Sequence, residues 1–475
     1  MKVRALLALA LVPGAVAAGA CALLDDPQQC ATDGDCARFD AVCDTAQAIC
    51  IPRGGADGGG PTQDDGAAPA VDAGEDAPPL DPRCDISPKP VASATTGLPA
   101  VDGGAQVAST LTLGCDKDWT LDGHLVVPAN TTLTIAAGTT IRAKKGTNAA
   151  IVVLPGGRIV AEGQRNAPIV LTVDDAAPAP GDWRGVFVLG RAPRNGNAPY
   201  QGDPLLAYGG ANADDDSGAL TFVRIEYAQN GVVFGGVGKK TKLDSVQVRR
   251  SNDNCFVFNG GAVDAKHLVC QFVADEQFEL QEGYSGRLQF IFGQKSPPGD
   301  GHHGLLVDGA NTFPVIYNAT LCGQAGAANV LGYGMLVRNG TRLDANDLVV
   351  TGWFSGLDTT GNLGTPLLLR SSVFFGNTLN PVVDEDGGAG PAADDDNGFS
   401  ELDLFADGGN RDTDPNLVDC HDPTAPKPWP GVALTAGART PPNDGFFDTS
   451  ATFIGAFKDA NDAWMTGAWV RFGAD

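Results

Sequence analysis

Short apolar pairs with one residue between them recur along this chain at a common step. They are Leu125/Val127, Leu133/Ile135, Ile151/Val153, Ile159/Ala161 and Ile169/Leu171. Each pair marks a short strand with one buried face. Turn residues separate them: Pro128-Ala129-Asn130, Ala137-Gly138, Pro155-Gly156-Gly157 and Asn166-Ala167-Pro168. Strand starts at Leu125, Leu133, Ile141, Ile151, Ile159 and Ile169 advance in short, nearly equal steps. Three steps close one turn. Leu125 to Ile151 and Leu133 to Ile159 are each a step of 26, and Ile141 to Ile169 is 28.

A three-sided coil demands this spacing. Each side is a strand too short to be stable alone. Stacking one coil on the next supplies the backbone hydrogen bonds and aligns the inward Leu, Ile and Val in rows. A meander of hairpins would also alternate its faces, but it has two-residue turns and no common repeat of that length. The expected fold class is therefore all-β, a parallel β-helix.

The second half repeats in another register. The phrases "NGVVFGG", "NCFVFNGG", "EQFELQEG", "HGLLVDG" and "YGMLVRNG" place Phe234, Phe258, Leu280, Val307 and Val337 in one column, with unequal steps between them. The variable steps imply loops of different size on one face. Residues 190–217 and 377–400, rich in Gly, Asn, Asp and Pro, read as larger insertions.

The start of the chain reads as an export signal over residues 1–20. Lys2 and Arg4 precede an apolar run too short to span a membrane, followed by small residues and Cys21. Ala18-Gly19-Ala20-Cys21 looks like a lipobox, which makes Cys21 the expected lipidation site and the membrane the expected partner of the N-terminus. With Ala22 after it, the expected destination is the outer membrane, exposed at the surface; the alternative, with ordinary cleavage after Ala18-Gly19-Ala20, is a periplasmic or secreted protein. Residues 21–53 form a Cys-rich module whose Cys30, Cys36, Cys43 and Cys50 leave almost no room for an apolar core, so two disulfides must hold it, in any of three pairings. Residues 54–83 are Gly, Ala, Pro and Asp, a flexible acidic linker. Residues 84–415 are the coil, and 416–475 a closing segment. A disulfide between Cys84 and Cys115 would pin the start of the coil. The net charge of −25 excludes nucleic acid as a partner.

The stretches "LDGHLVVPANTTLTIAAGTTIRAKKG", "AAIVVLPGGRIVAEGQRNAPIVLTV" and "GDWRGVFVLG" resemble a family of bacterial cell-surface β-helix lipoproteins of Bacteroidetes and myxobacterial type. So do "DSGALTFVRIEYA", "GVVFGGVGKKTKLDSVQVRRSNDNCFVFNGG" and the ending "FFDTSATFIGAFKDANDAWMTGAWVRF". The resemblance covers most of residues 115–293 and 443–472. It implies a right-handed parallel β-helix, a solenoid of the pectin-lyase-like kind, of unassigned activity. Relatives tend to carry paired Asp before "FGG" and "GYSG". Here those places hold Ser251-Asn252-Asp253-Asn254 and Ala274-Asp275-Glu276, so no role of the paired Asp is carried over.

The chemistry candidates follow from the same register. Asn230, Asn254 and Glu276 share one place before their inward strands, and Asp253 and Asp275 share another, one turn apart. Turns stack about 4.8 Å apart, which sets Asp253 and Asn254 beside Asp275 and Glu276. A hard cation such as Ca²⁺ would relieve that repulsion, which makes these four residues candidate calcium ligands; the plainer reading, which we prefer, is a solvated acidic ridge screened by salt. "DGHHG" at 300–304 resembles an element of polygalacturonases, and Asp214-Asp215-Asp216 resembles their paired aspartates, but their N-T-D and R-I-K elements are missing. Lys239-Lys240 and Arg249-Arg250 are the lyase-base candidates. His302 and His303, adjacent on a strand, would face opposite ways, and a loop would be needed to bring them to one transition metal. Trp183, Trp464 and Trp469 are expected to cap the open ends of the coil. No catalytic residue is assigned. The expected function is a surface-anchored, non-catalytic binding or scaffold protein for glycans or a protein partner; the alternative is a polysaccharide-degrading hydrolase or lyase.

Overall fold

The computed structural model describes residues 79–295, 302–324, 332–379, 382 and 396–473, and the backbone of two strands further upstream. The chain divides into two units, residues 1–71 and 72–475. In the first, strands Ala41–Asp44 and Ile49–Pro52 pair antiparallel with Cys43 opposite Cys50. The disulfides expected among Cys30, Cys36, Cys43 and Cys50, and the lipidation site Cys21, lie outside the described residues.

The second unit is a parallel β-solenoid of about eleven turns. Eleven strands stack along one path of the first sheet, from Val91–Ser93 to Leu367–Arg370. A second sheet of eleven strands runs beside it and ends on Ser355–Thr360. Leu125 pairs with Ile151 and Leu133 with Ile159, at the step that the sequence predicts. Phe234, Phe258, Leu280, Val307 and Val337 form one column, also as predicted. One step differs. Ile141 pairs with Leu171, not Ile169. A slip of two residues keeps the same face inward, so periodicity alone could not tell the two apart. The core is one continuous apolar stack from Ala94 to Phe405.

The early turns use two separate strands where later turns use one long bent strand. Gly218–Glu226 pairs through its first half with Arg158–Glu162 and through its second with Ile169–Val173. The bend is a single residue with positive φ. Phe222, Ser245, His267, Phe290, Asn318 and Asp347 occupy it in successive turns. Left-handed backbone costs a non-glycine residue roughly 1–2 kcal/mol. It also turns each of these side chains outward, and something covers them.

That cover is a strap made of residues 434–473. It runs along the bend from the turn that carries Asp347 back to the turn that carries Arg165. Gln247 and Gln289 each hold it by paired amide bonds, to Arg471 and to Asp448. Asn318 Nδ2 donates to Phe453 O at 2.6 Å, and Arg224 to Ala468 O at 2.7 Å. Trp469 meets Phe222 edge-on, and Trp464 packs on His267. These tryptophans therefore lie along the flank and do not cap an end. Trp183 does not cap one either; it sits in the core with its Nε1 donating to Glu226 O at 2.8 Å. The last turn is covered instead by helix Glu401–Asp407, capped by Ser400 and packed through Phe405 on Phe374.

Cys84 and Cys115 are disulfide-bonded, as expected. Two further bridges join Cys255 to Cys270 within the coil and Cys322 to Cys420 at the start of the closing segment. Among the described residues, no helix is long and apolar enough to cross a membrane.

Candidate functional site

Period-2 alternation gives the second sheet an outer row: Phe187, Val233, Val257, Glu279 and Leu306 in successive turns. The apolar start of this row is covered by the insertion that follows strand Gly185–Leu189. Tyr200 and Leu206 from that insertion pack on Phe187, Val233 and Val257. Tyr208 lies flat over Gly235, where a Cβ would meet its ring at 2.8 Å, so a side chain at 235 would push the insertion away. The cover stops where the row turns polar, at Glu279. A cleft of about 340 Å³ opens there, lined by the insertion on one side and by Asp253, Asn254, Asn259, Asp275, Glu279 and Gln281 on the other.

Among the described residues one arginine lines this cleft, and it is engaged. Arg194 stands 3.9 Å over the Tyr208 ring and donates to Asn195 O, Ala198 O and Glu282 Oε2 at 2.9, 2.7 and 3.1 Å. Tyr200 donates its hydroxyl to Asn230 Oδ1 at 3.1 Å.

The floor is the acidic column of the sequence. The Asp275 amide donates to Asp253 O at 3.3 Å, which sets the two turns directly against each other as expected. Asn254 is committed at both ends of its amide. Its oxygen accepts the Glu276 N–H at 2.9 Å, and its nitrogen donates to Glu279 Oε2 at 2.7 Å. Through these two bonds Asn254 orients both acids. The structure brings a residue to Asp275 and Glu276 that the calcium set did not include. His302 Nδ1 lies 2.5 Å from Asp275 Oδ1 and 3.8 Å from Glu276 Oε1.

Burial separates the titration of these acids. Glu279 is pushed up to about 8 by burial and by the charges of Asp275 and Asp253. Glu276 rises for the same first reason and because Asp275 adjoins it. Asp253 is raised by burial and by Asp275. Burial works against Asp275 as well, yet hydrogen bonding with Glu276 and Asp253 and the nearby His302 hold it below the usual carboxylate range. Near neutral pH the floor therefore offers both carboxylate acceptors and carboxyl donors.

The other candidates are structural. Asp215 is buried and pairs with Arg191 at 2.9 Å, and Asp216 pairs with Arg158; both fasten the ends of the insertion. Arg249 is buried between Glu226 and the strap's Gly473, and Arg250 also donates to Gly473 O. Lys239 and Lys240 are exposed and outside the cleft lining. Asp300 lies outside the described residues. His303 stacks on Tyr333 at 5.2 Å, with the His302 ring edge-on to it at 6.5 Å, and is driven down to about 4, mainly by burial. The aromatic wall of Tyr200 and Tyr208 is not foreseen by the sequence, where their insertion reads only as turn-rich.

A family model described as a pectate-lyase-like β-helix domain matches residues 105–383. No curated protein and no solved structure matches the chain.

Proposed function

The chain belongs to the pectate-lyase-like β-helix domain family, and on that premise we propose that it is a surface-anchored, non-catalytic binding protein whose cleft holds a neutral or amino-sugar glycan. The observation that carries this reading is the lining of the cleft. Asp253, Asp275, Glu279, Asn259, Gln201 and Gln281 supply donors and acceptors for a hydroxyl-rich ligand, and the one cation among the described lining residues is already bonded within the wall. The acids of the described lining repel a polyanion such as a polyuronate. In this reading a lipid on Cys21 holds the protein to the outer membrane.

A second reading is glycoside hydrolysis. It is favoured by the separation of Asp275, held low, from Glu279, held high, which is how a base and an acid are told apart in one site. A glycan-array screen of the full chain, with assays for released reducing ends and unsaturated uronates, decides. Retention of neutral or amino-sugar chains without turnover is the expected result. Binding confined to polyuronates overturns it. Turnover abolished by Glu279→Gln replaces it with the hydrolase.

A further inference from the structure

We propose that Asp275, Glu276 and His302 form a site for a divalent transition cation of the zinc class at the rim of the cleft. Asp275 and Glu276 stand just before strand Phe278–Gln281, and His302 stands before the next strand of the stack, Leu305–Asp308. One nitrogen of His302 and one oxygen from each acid all lie within 4.8 Å of one another. Zinc holds nitrogen and oxygen donors at about 2.0–2.2 Å in a tetrahedron, which spaces them by roughly 3.4 Å. The 2.5 Å between His302 Nδ1 and Asp275 Oδ1 must open by about 1 Å. The His302 side chain is 47% exposed and has room to do so.

A second observation points to the same ligand. Asp275 Oδ1 is shielded from solvent and makes no hydrogen bond. Its near neighbour is His302 Nδ1, at 2.5 Å. A shielded carboxylate oxygen left this way is costly, and a cation between it and the imidazole satisfies both atoms. Glu276 adds a carboxylate that is itself only 8% exposed.

The three donors are also held in place from behind. Lys295 Nζ donates to the main-chain oxygens of Val273, Ala274 and Asp275, at 3.2, 3.1 and 2.5 Å. Asn254 fixes the Glu276 amide. His303 accepts the Tyr333 N–H at 3.2 Å and stacks on that ring, which leaves its neighbour His302 facing the acids.

The nitrogen donor decides the class of cation. Calcium takes oxygen ligands, six to eight of them. Imidazole with two carboxylates suits zinc and its first-row neighbours, and three protein donors leave a fourth position open. Because Asp275 also lines the cleft, that site sits where a bound ligand's oxygen would arrive. The metal proposal does not depend on the glycan reading, since it can be tested without any glycan.

Titration calorimetry of the chelator-stripped full chain with Zn²⁺, and absorption of its Co²⁺ form, tests it. The wild type should bind with a tetrahedral Co²⁺ spectrum that includes a nitrogen ligand. His302→Ala and Glu276→Gln should each weaken that binding at least about tenfold, the cost of roughly 1.4 kcal/mol. Metal-free melting of His302→Ala should match the wild type, which separates lost ligation from lost folding. The proposal is overturned if the wild type binds no Zn²⁺. It is equally overturned if His302→Ala retains the full signal, as metal held elsewhere in the chain would, or if Ca²⁺ binds in preference to Zn²⁺.

Discussion

Both carboxylate oxygens of Asp347 lie within hydrogen-bonding distance of the Arg439 amide nitrogen, at 3.0 and 3.2 Å. Asp347 is one of the bend residues, fully buried, with φ at 59°, and Arg439 belongs to the strap. Burial pushes this carboxyl up to about 7, against the opposing pull of the Arg439 amide and charge. A folded-state pKa above the unfolded value means that the folded chain binds the proton more tightly. Its contribution to stability is then complete below about pH 4 and is lost as the pH rises through about 7. Asn accepts the same amide, tolerates the left-handed backbone and carries no charge. Asp347→Asn should therefore melt near the wild type at pH 4 and increasingly above it towards pH 8. The melting-temperature difference, followed across that range, checks it; a difference that does not grow with pH contradicts the assignment.

Cys322 and Cys420 close a 98-residue separation. In the chain-entropy model a loop near 100 residues is worth about 4.7 kcal/mol. Cys420→Ser should lower the denaturant midpoint by more than Cys255→Ser does, because the Cys255–Cys270 bridge spans only 15 residues. It should also expose the segment after residue 420 to limited proteolysis, since that bridge joins the segment to the coil. Equal midpoints for the two variants would show that the bridges do not act through loop closure.

Lipidation at Cys21 is checked by fractionation of cells. Cys21→Ala should move the protein from the membrane fraction to the soluble one. A variant that stays with the membrane removes the lipid from the account and leaves anchoring to something else.

The coil is readable because its inward residues obey a period the sequence displays. Leu125 with Ile151 and Leu133 with Ile159 are all large and apolar, and both pairs repeat at the same step. The partner of Ile141 is misplaced by two residues because Ile169 and Leu171 both face inward, and only the neighbouring turn selects between them. The acidic column is readable for the same reason. His302 does not join it on the page, although it follows Asp275 by the same step that carries Leu280 to Val307; reading the two histidines as a pair hides the match between one of them and the turn before. The strap leaves no such signal. Gln247, Gln289 and Asn318 hold it by side-chain amides meeting irregular backbone, and those bonds follow no period in either partner. Tyr200 and Tyr208 are hidden by their loop, because packing against Phe187 and Gly235 is a property of the folded surface.

The strap also bears on how this molecule can change length. A bare solenoid grows or shrinks by whole coils, since each coil answers only to its neighbours. Here coils far apart, from the one with Arg165 to the one with Asp347, share a single covering segment. Insert one coil between them and everything beyond it moves by about 4.8 Å, while the strap keeps its old length. Gln289 and Asp448, or Asn318 and Phe453, would no longer meet. Duplication of a turn, the cheapest mutation open to a repeat protein, is closed to this stretch unless residues 434–473 lengthen in the same step. Variation in size is left to the outward loops, such as residues 190–217, and those are the parts that shape the cleft.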